Sequence, residues 1–140
     1  MRKWLLAVSV AGLMAVSSLP AQAGASGIDH IQLGPRVGVF SPTEARYHVG
    51  AFCSTDLQWQ MDVTLNQGTL EQTRTTPWRN CHGLTQHSGF RPLIYDAGFV
   101  VGVNGTASGF TRTRLKSNHA PAPFTATDSR TVRFIQCPCE

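Results

Sequence analysis

Apolar and polar residues alternate along the middle of the chain in the pattern of a half-buried β-strand. From Leu57 to Leu65, every odd-numbered residue is apolar and every even-numbered residue is polar. Because side chains on a strand point alternately to opposite faces, this run predicts one face in a core and the other in water. Asn66-Gln67-Gly68 is typical of a turn. The Thr-rich run from Leu70 to Thr76 is expected to return as the hairpin partner near a sheet edge.

A second hairpin is predicted around Asn104-Gly105, within the β-rich segment from Ala97 to Leu115. A type I′ turn needs positive φ at both central residues, and the Asn-Gly pair tolerates this conformation. Folding the chain at this turn places Phe99 opposite Phe110, as a cross-strand aromatic pair.

The remaining sequence also favours strands over helices. Gly and Pro interrupt it about every ten residues, and no long 3.6-residue period is present. Ser41-Pro42-Thr43-Glu44 matches a helix capping box, but no apolar helical stripe follows, so we expect one helical turn at most, or a loop. We predict an all-β fold, a two-sheet antiparallel β-sandwich of about eight strands; a small closed β-barrel is the alternative. The weaker strand patterns are Ile28–Leu33, Arg36–Phe40, Tyr47–Cys53, Arg91–Tyr95 and Thr131–Cys137.

The N-terminal segment has the composition of an export signal. Arg2 and Lys3 precede an uncharged apolar run, and Ala21-Gln22-Ala23 follows it. The run is shorter than the roughly 20 residues that cross a membrane. We predict that residues 1–23 are a cleaved secretory signal peptide of a bacterial protein, and that residues 24–140 form a single β-rich domain. The product would be secreted or periplasmic, with no transmembrane anchor after cleavage; an uncleaved N-terminal anchor is the rival interpretation.

The four cysteines all lie in the predicted mature chain, where an oxidising compartment would pair them as structural disulfides. They are Cys53, Cys81, Cys137 and Cys139. A bridge between residues two apart on a strand is near the upper limit of Cα separation. We therefore expect the two C-terminal cysteines to reach separately to Cys53 and Cys81. The alternative is a Cys53–Cys81 bond with a Cys137–Cys139 bond.

A run of cations is the most suggestive candidate surface. Strand alternation places Arg112, Arg114 and Lys116 on one side of the chain, and Arg130 and Arg133 would join them if the last strand pairs nearby. Such a patch would attract a protein, a glycan or another anionic surface ligand. The alternative is a charged strand surface that only keeps the protein soluble and its edges unpaired.

The loop before Cys81 adds Trp78 and Arg79 as candidate ligand contacts, because an exposed Trp beside an Arg is a common binding anchor. Trp78 would otherwise cover the end of the core. Loss of Arg2 and Lys3 lowers the 12 Lys and Arg to ten, against eight acidic residues, so the mature charge is only +2. We therefore expect no nucleic-acid partner.

No motif that defines a reaction is present: the chain has no G-x-S-x-G, no H-E-x-x-H and no phosphate-binding loop. We predict a small exported, non-enzymatic binding, inhibitor or envelope-associated protein without a cofactor. The alternative is a small secreted metalloprotein or hydrolase that uses His82, His87 and nearby acidic residues. A disulfide at Cys81 would remove the thiolate beside them, so no metal site is predicted. The candidate ligand residues are Trp78, Arg79, Arg112, Arg114, Lys116 and Arg133.

Overall fold

The computed structural model of the protein describes residues 27–89, 91–96 and 98–138. The predicted export signal, residues 1–23, lies outside the described residues. Every regular element in the described ranges is a β-strand, so the all-β prediction is confirmed. These ranges contain no apolar helix of membrane-spanning length. The strands are β1 (Ile28–Leu33), β2 (Arg36–Ser41), β3 (Glu44–Tyr47), β4 (Val49–Cys53), β5 (Leu57–Gln67), β6 (Leu70–Thr75), β7 (Arg79–Asn80), β8 (Gly83–Gly89), β9 (Leu93–Tyr95), β10 (Asn104–Leu115) and β11 (Pro121–Gln136).

These strands form two sheets. The larger follows the order β6-β5-β10-β11-β2-β3-β9, with β7 also paired to β5, and the smaller is β1-β4-β8. All pairs are antiparallel except β11 with β2, which is parallel. The strands β3, β7 and β8 were not predicted: β3 and β7 have only four and two residues, and the seven residues of β8, GLTQHSG, show no alternation of apolar and polar side chains.

The larger sheet curls until it is nearly a closed barrel, and side chains join its two edge strands. Arg74 of β6 donates Nε to the carbonyl oxygen of Ile94 in β9 at 3.1 Å, and its Nη2 bonds to Asp96 at 2.8 Å. Gln72 also donates to Asp96 at 2.8 Å. The fold therefore combines features of both predicted architectures: it has two sheets, as a β-sandwich does, and one of them is barrel-like.

The core is built on the alternation of β5. Its apolar side chains, at odd-numbered positions from Leu57 to Leu65, are all fully buried, and the polar residues between them are half-buried on the outer face. Trp59 satisfies its indole N–H within the core by donating to Ser88 Oγ at 2.9 Å. Ile31 of the smaller sheet contacts the position of Gly109 in β10, so the two sheets share this core. The predicted hairpin of β5 with β6 is confirmed.

The predicted turn at Asn104-Gly105 is wrong. Both residues lie inside β10, where Gly105 is paired with Val132 of β11. A Cβ on Gly105 would lie 2.1 Å from the carbonyl oxygen of Asn66 and 2.8 Å from the ring of Phe134. The glycine therefore allows β10 to approach its neighbours closely, and it is not required by a hairpin turn.

The chain turns earlier, at Val101 and Gly102, where Gly102 has a φ of 92°. Phe99 consequently stacks on Phe134, with ring centroids 4.9 Å apart, while Phe110 faces outward with 39% of its surface exposed. The predicted pair of Phe99 with Phe110 is therefore wrong. The Ser41–Glu44 segment forms the tight turn between β2 and β3 and no helix.

The preferred disulfide pairing is also wrong. Cys53 bonds to Cys81, with Cα atoms 5.2 Å apart, as in the alternative pairing. Cys137 is itself disulfide-bonded, and Cys139 lies outside the described residues. The backbone N–H of Cys137 donates to Val39 in β2 at 2.9 Å, in the larger sheet, whereas Cys53 ends β4 in the smaller sheet. The end of the chain is therefore held away from Cys53 by its own strand pairing.

Candidate functional site

The predicted basic strand lies on the outer face of the barrel. β10 is paired with β5 so that Arg112 lies opposite Gln60 and Arg114 lies opposite Gln58. The intervening Thr113 is buried, so the two arginines point to the opposite, outer side. Each cation therefore has an amide side chain of β5 within reach across the strand pair.

Arg112 is neutralised within the sheet. Its guanidinium bonds to both carboxylate oxygens of Asp62, and Nη1 donates to Gln60 Oε1 at 2.7 Å. The hydrogen bond from Arg112 lowers the pKa of Asp62; burial opposes this effect, and a 2.7 Å hydrogen bond from Thr75 adds to it. Asp62 is therefore ionised at neutral pH, and the charge of Arg112 is balanced by a neighbour rather than presented to a ligand.

Arg114 is held differently. Its Nε donates to Gln58 Oε1 at 2.8 Å, and its guanidinium carbon lies 4.3 Å from the ring centroid of Trp78. Gln58 is fixed in turn, because its Nε2 donates to Asn80 Oδ1 of β7 at 2.8 Å. Nη1 and Nη2 of Arg114 form no hydrogen bond to any residue that the structure describes. We call Trp78, Arg114, Gln58 and Asn80 the Trp78–Arg114 platform.

The other sequence candidates near the platform are exposed. Arg79 follows Trp78 directly and lies in β7, and Lys116 lies in the turn after β10. Trp78 itself is half-buried, with one face under the guanidinium of Arg114, so it is neither a fully exposed anchor nor a core residue. The structure thus brings Trp78 and Arg114 into contact, a pair that lies 36 residues apart in the sequence.

The single patch of five cations does not form. β11 does pair with β10, as the patch requires, but Arg133 lies opposite Asn104. That position is eight residues from Arg112, or roughly 26 Å along an extended strand. Arg130 donates Nη1 to the carbonyl oxygen of Leu33 in β1 at 2.9 Å, so it faces the smaller sheet. The two cations of β11 are therefore separated from those of β10.

The alternative metal site at His82 and His87 loses its neighbouring ligand, because the sulfur of Cys81 is in the disulfide. The imidazole of His87 lies over the backbone of Gly50, where a Cβ would come within 2.0 Å of Nε2. Its ring forms a T-shaped pair with that of Phe52, with ring centroids 5.6 Å apart. Within residues 27–89, 91–96 and 98–138, no three His, Cys, Asp or Glu side chains are grouped to hold a metal ion.

A second candidate site was missed by the sequence analysis. A cavity of about 370 Å³ lies over β2 and β3, and Arg36, Arg46 and His48 are its ionisable lining residues. The guanidinium carbon of Arg46 lies 4.0 Å from the ring centroid of Phe40. The only sequence signal was the alternation on either side of the Ser41–Glu44 turn, which places Phe40 and Arg46 outward on adjacent strands. That signal becomes visible only when the two strands are known to pair.

No protein-family model and no curated protein sequence matches this chain. Solved structures that resemble the fold include superoxide reductase (neelaredoxin) from Ignicoccus hospitalis, with a TM-score of 0.42 and 5% identity, covering 76% of this chain and 81% of that chain. A substituted form of the same protein has a TM-score of 0.44 and 6% identity, with coverage of 83% and 86%. Likenesses this distant carry no argument about the activity of this chain.

Proposed function

We propose that this protein is a non-enzymatic binding module, and that the Trp78–Arg114 platform is the surface that holds an anionic group of its ligand. The observation that carries the proposal is the state of Arg114. Its Nε is anchored by Gln58 at 2.8 Å and its face is stacked on Trp78 at 4.3 Å, while its two terminal nitrogens have no hydrogen-bond partner among the described residues.

The chemistry of the platform suits a carboxylate or a sulfate. A guanidinium offers a planar pair of N–H groups, and two parallel hydrogen bonds to one anion are stronger and more directional than a single contact. Stacking on an aromatic ring and an anchored Nε limit the rotamers of Arg114 before binding. This preorganisation lowers the entropy cost of binding, which for a free arginine side chain is roughly 2 kcal/mol.

The surroundings extend the platform into a binding surface. The outer face of β6, β5 and β10 carries further fixed polar side chains, since the hydroxyls of Thr64 in β5 and Thr73 in β6 are 2.7 Å apart and Asp62 is held by Arg112. Phe110 adds an exposed aromatic ring on the same face. A fixed polar surface with exposed aromatic groups is typical of sites that bind a glycan or a protein partner.

We propose further that the protein acts outside the cytoplasm, after removal of residues 1–23. The Cys53–Cys81 disulfide supports this location, because structural disulfides persist mainly in oxidising compartments. N-terminal sequencing of protein recovered from the periplasm or the medium tests it. A chain beginning at Gly24 is expected, and a chain that retains its N-terminal Met1 would contradict the proposal.

The platform is tested by retention of the protein on three matrices: polygalacturonate, dextran sulfate and neutral dextran. We expect retention on at least one anionic matrix and none on neutral dextran. Arg114→Gln should weaken that retention roughly tenfold or more, because it removes a charge-assisted, two-bond contact. Arg114→Lys keeps the charge but not the planar fork, so an intermediate loss is expected.

The matched control is Arg133→Gln, which removes the same charge from a distant position of the larger sheet. Its retention should match that of the unsubstituted protein. Equal losses in Arg114→Gln and Arg133→Gln would show that only net charge matters, and would overturn the proposal. Absence of retention on both anionic matrices would also overturn it. Thermal melting of each variant verifies that the fold is intact.

A further inference from the structure

The cavity over β2 and β3 is distinct from the Trp78–Arg114 platform, because the two share no residue. In the larger sheet β11 separates β10 from β2, so the cavity belongs to a different part of the barrel wall. Its volume of about 370 Å³ falls within the usual range of small-molecule sites, roughly 300–1,000 Å³. Its lining includes Arg36, Phe40, Arg46, His48, Pro92 and Ile135.

Arg46 is positioned in this cavity by two contacts. Its Nε donates to Glu44 Oε2 at 2.6 Å, and its guanidinium carbon lies 4.0 Å from the centroid of the Phe40 ring. Nη1 and Nη2 form no hydrogen bond to any described residue. Arg46 therefore presents a held guanidinium with free terminal N–H groups, which is the arrangement that receives an anion.

The charge of the cavity is positive. Arg36 is exposed and forms no hydrogen bond or ion pair with a described side chain, and Arg46 is paired with Glu44. Glu44 does not line the cavity, so the two guanidinium groups are the charged groups that face a bound molecule, and the imidazole of His48 lies beside them. Arg36, Arg46 and Glu44 together leave one positive charge, which a monoanion would balance.

The other walls of the cavity are apolar. Phe40, Pro35, Pro92 and Ile135 surround the space beside the two guanidinium groups. An inorganic anion would contact the arginines but would leave these walls without a partner. A ligand with both an anionic end and an apolar body would bury apolar surface as well, which contributes roughly 25 cal/mol per Å².

Gly34, which lines the cavity, is held by two hydrogen bonds. The N–H of Gly34 donates to the carbonyl oxygen of His48 at 3.1 Å, and the carbonyl oxygen of Gly34 accepts from the Tyr47 hydroxyl at 2.8 Å. Burial raises the pKa of Tyr47 well above its ordinary value, so this hydroxyl keeps its proton at neutral pH. These two bonds fix the backbone of Gly34 where it lines the cavity.

We propose that this cavity is a binding site for a small carboxylate with an aromatic or short aliphatic body. The carboxylate bonds to the free nitrogens of Arg46, with Arg36 as a second cation, and the apolar body packs against Phe40 and Ile135. This is a second site, separate from the proposed platform, and it does not depend on the platform being functional.

The test measures binding of 3-phenylpropanoate to the mature protein by isothermal titration calorimetry, with 3-phenylpropanamide and inorganic phosphate as comparison probes. The amide keeps the apolar body without the charge, and phosphate keeps the charge without the body. We expect 3-phenylpropanoate to bind at least tenfold more tightly than either comparison. Arg46→Gln should weaken its binding roughly tenfold to a hundredfold.

Arg36→Gln is the second variant, because Arg36 is exposed and its replacement should not affect folding; a severalfold loss of affinity is expected. Lys116→Gln is the charge-matched control, because Lys116 is exposed in the turn after β10 and belongs neither to the cavity nor to the platform; this variant should bind 3-phenylpropanoate unchanged. Any of three results would overturn the proposal. The first is that the protein binds phosphate as tightly as 3-phenylpropanoate, and the second is that it does not bind 3-phenylpropanoate at all. The third result is an affinity for 3-phenylpropanoate that is unchanged in both Arg46→Gln and Arg36→Gln. A loss in Arg114→Gln equal to that in Arg46→Gln would place the ligand at the platform instead.

Discussion

Replacing Gly105 with alanine is expected to destabilise the fold more than replacing Gly68 with alanine, although only Gly68 has a positive φ. At Gly68, φ is 64° and no atom lies within 4 Å of the position that a Cβ would occupy, so the cost of a side chain is purely conformational. At Gly105 a Cβ would lie 2.1 Å from the carbonyl oxygen of Asn66 and 2.8 Å from the Phe134 ring. The cost there is steric, and it falls on the pairing of β10 with β5.

The magnitudes follow from these contacts. A non-glycine residue in the left-handed region costs about 1–2 kcal/mol, which is the loss expected for Gly68→Ala. For Gly105→Ala, the carbonyl of Asn66 must move by about 0.9 Å to reach the 3.0 Å below which real Cβ contacts essentially never fall. Overpacking costs typically 1–3 kcal/mol. One weakened ladder hydrogen bond adds about 1 kcal/mol, so the total is roughly 2–4 kcal/mol.

Urea unfolding followed by tryptophan fluorescence measures both free energies of unfolding under the same conditions. Substitution by asparagine provides the control, because asparagine tolerates a positive φ but is larger than alanine. Gly68→Asn should recover part of the loss seen in Gly68→Ala, whereas Gly105→Asn should be at least as destabilised as Gly105→Ala. A smaller loss for Gly105→Ala than for Gly68→Ala would refute the close approach of the two strands.

Two further predictions concern individual bonds. The Cys53 and Cys81 pair spans 28 residues, so replacing both with alanine should cost about 3.5 kcal/mol in the chain-entropy model; an unchanged urea midpoint would contradict this. The hydrogen bond from Arg112 lowers the pKa of Asp62 in the folded state below 3.8. The ionised carboxylate of Asp62 therefore stabilises the fold above about pH 4. This stabilisation is lost as the pH falls through the folded-state pKa. Asp62→Asn should therefore lose less stability than the unsubstituted protein between about pH 5 and pH 2, and equal losses would disprove the role of this carboxylate.

The strands could be predicted where burial alternates strictly. The Leu57–Leu65 pattern identified β5 and its buried face because alternation is a local property, visible in nine consecutive residues. The predicted turn at Asn104-Gly105 was wrong because glycine is favoured in two different backbone situations. A turn needs positive φ, whereas a close strand approach needs the absence of a side chain, and only neighbouring strands distinguish the two.

The amino-acid sequence alone determined the all-β class, the inward face of the central strand and the outward position of Arg112 and Arg114. These properties depend on side-chain alternation along one strand, and a change of partner strands would not alter them. Tertiary structure alone decided that Cys53 pairs with Cys81, that Arg114 stacks on Trp78, and which outward side chains line the cavity. Those contacts join residues from different strands, and strand order and register are set by the packing of the whole core.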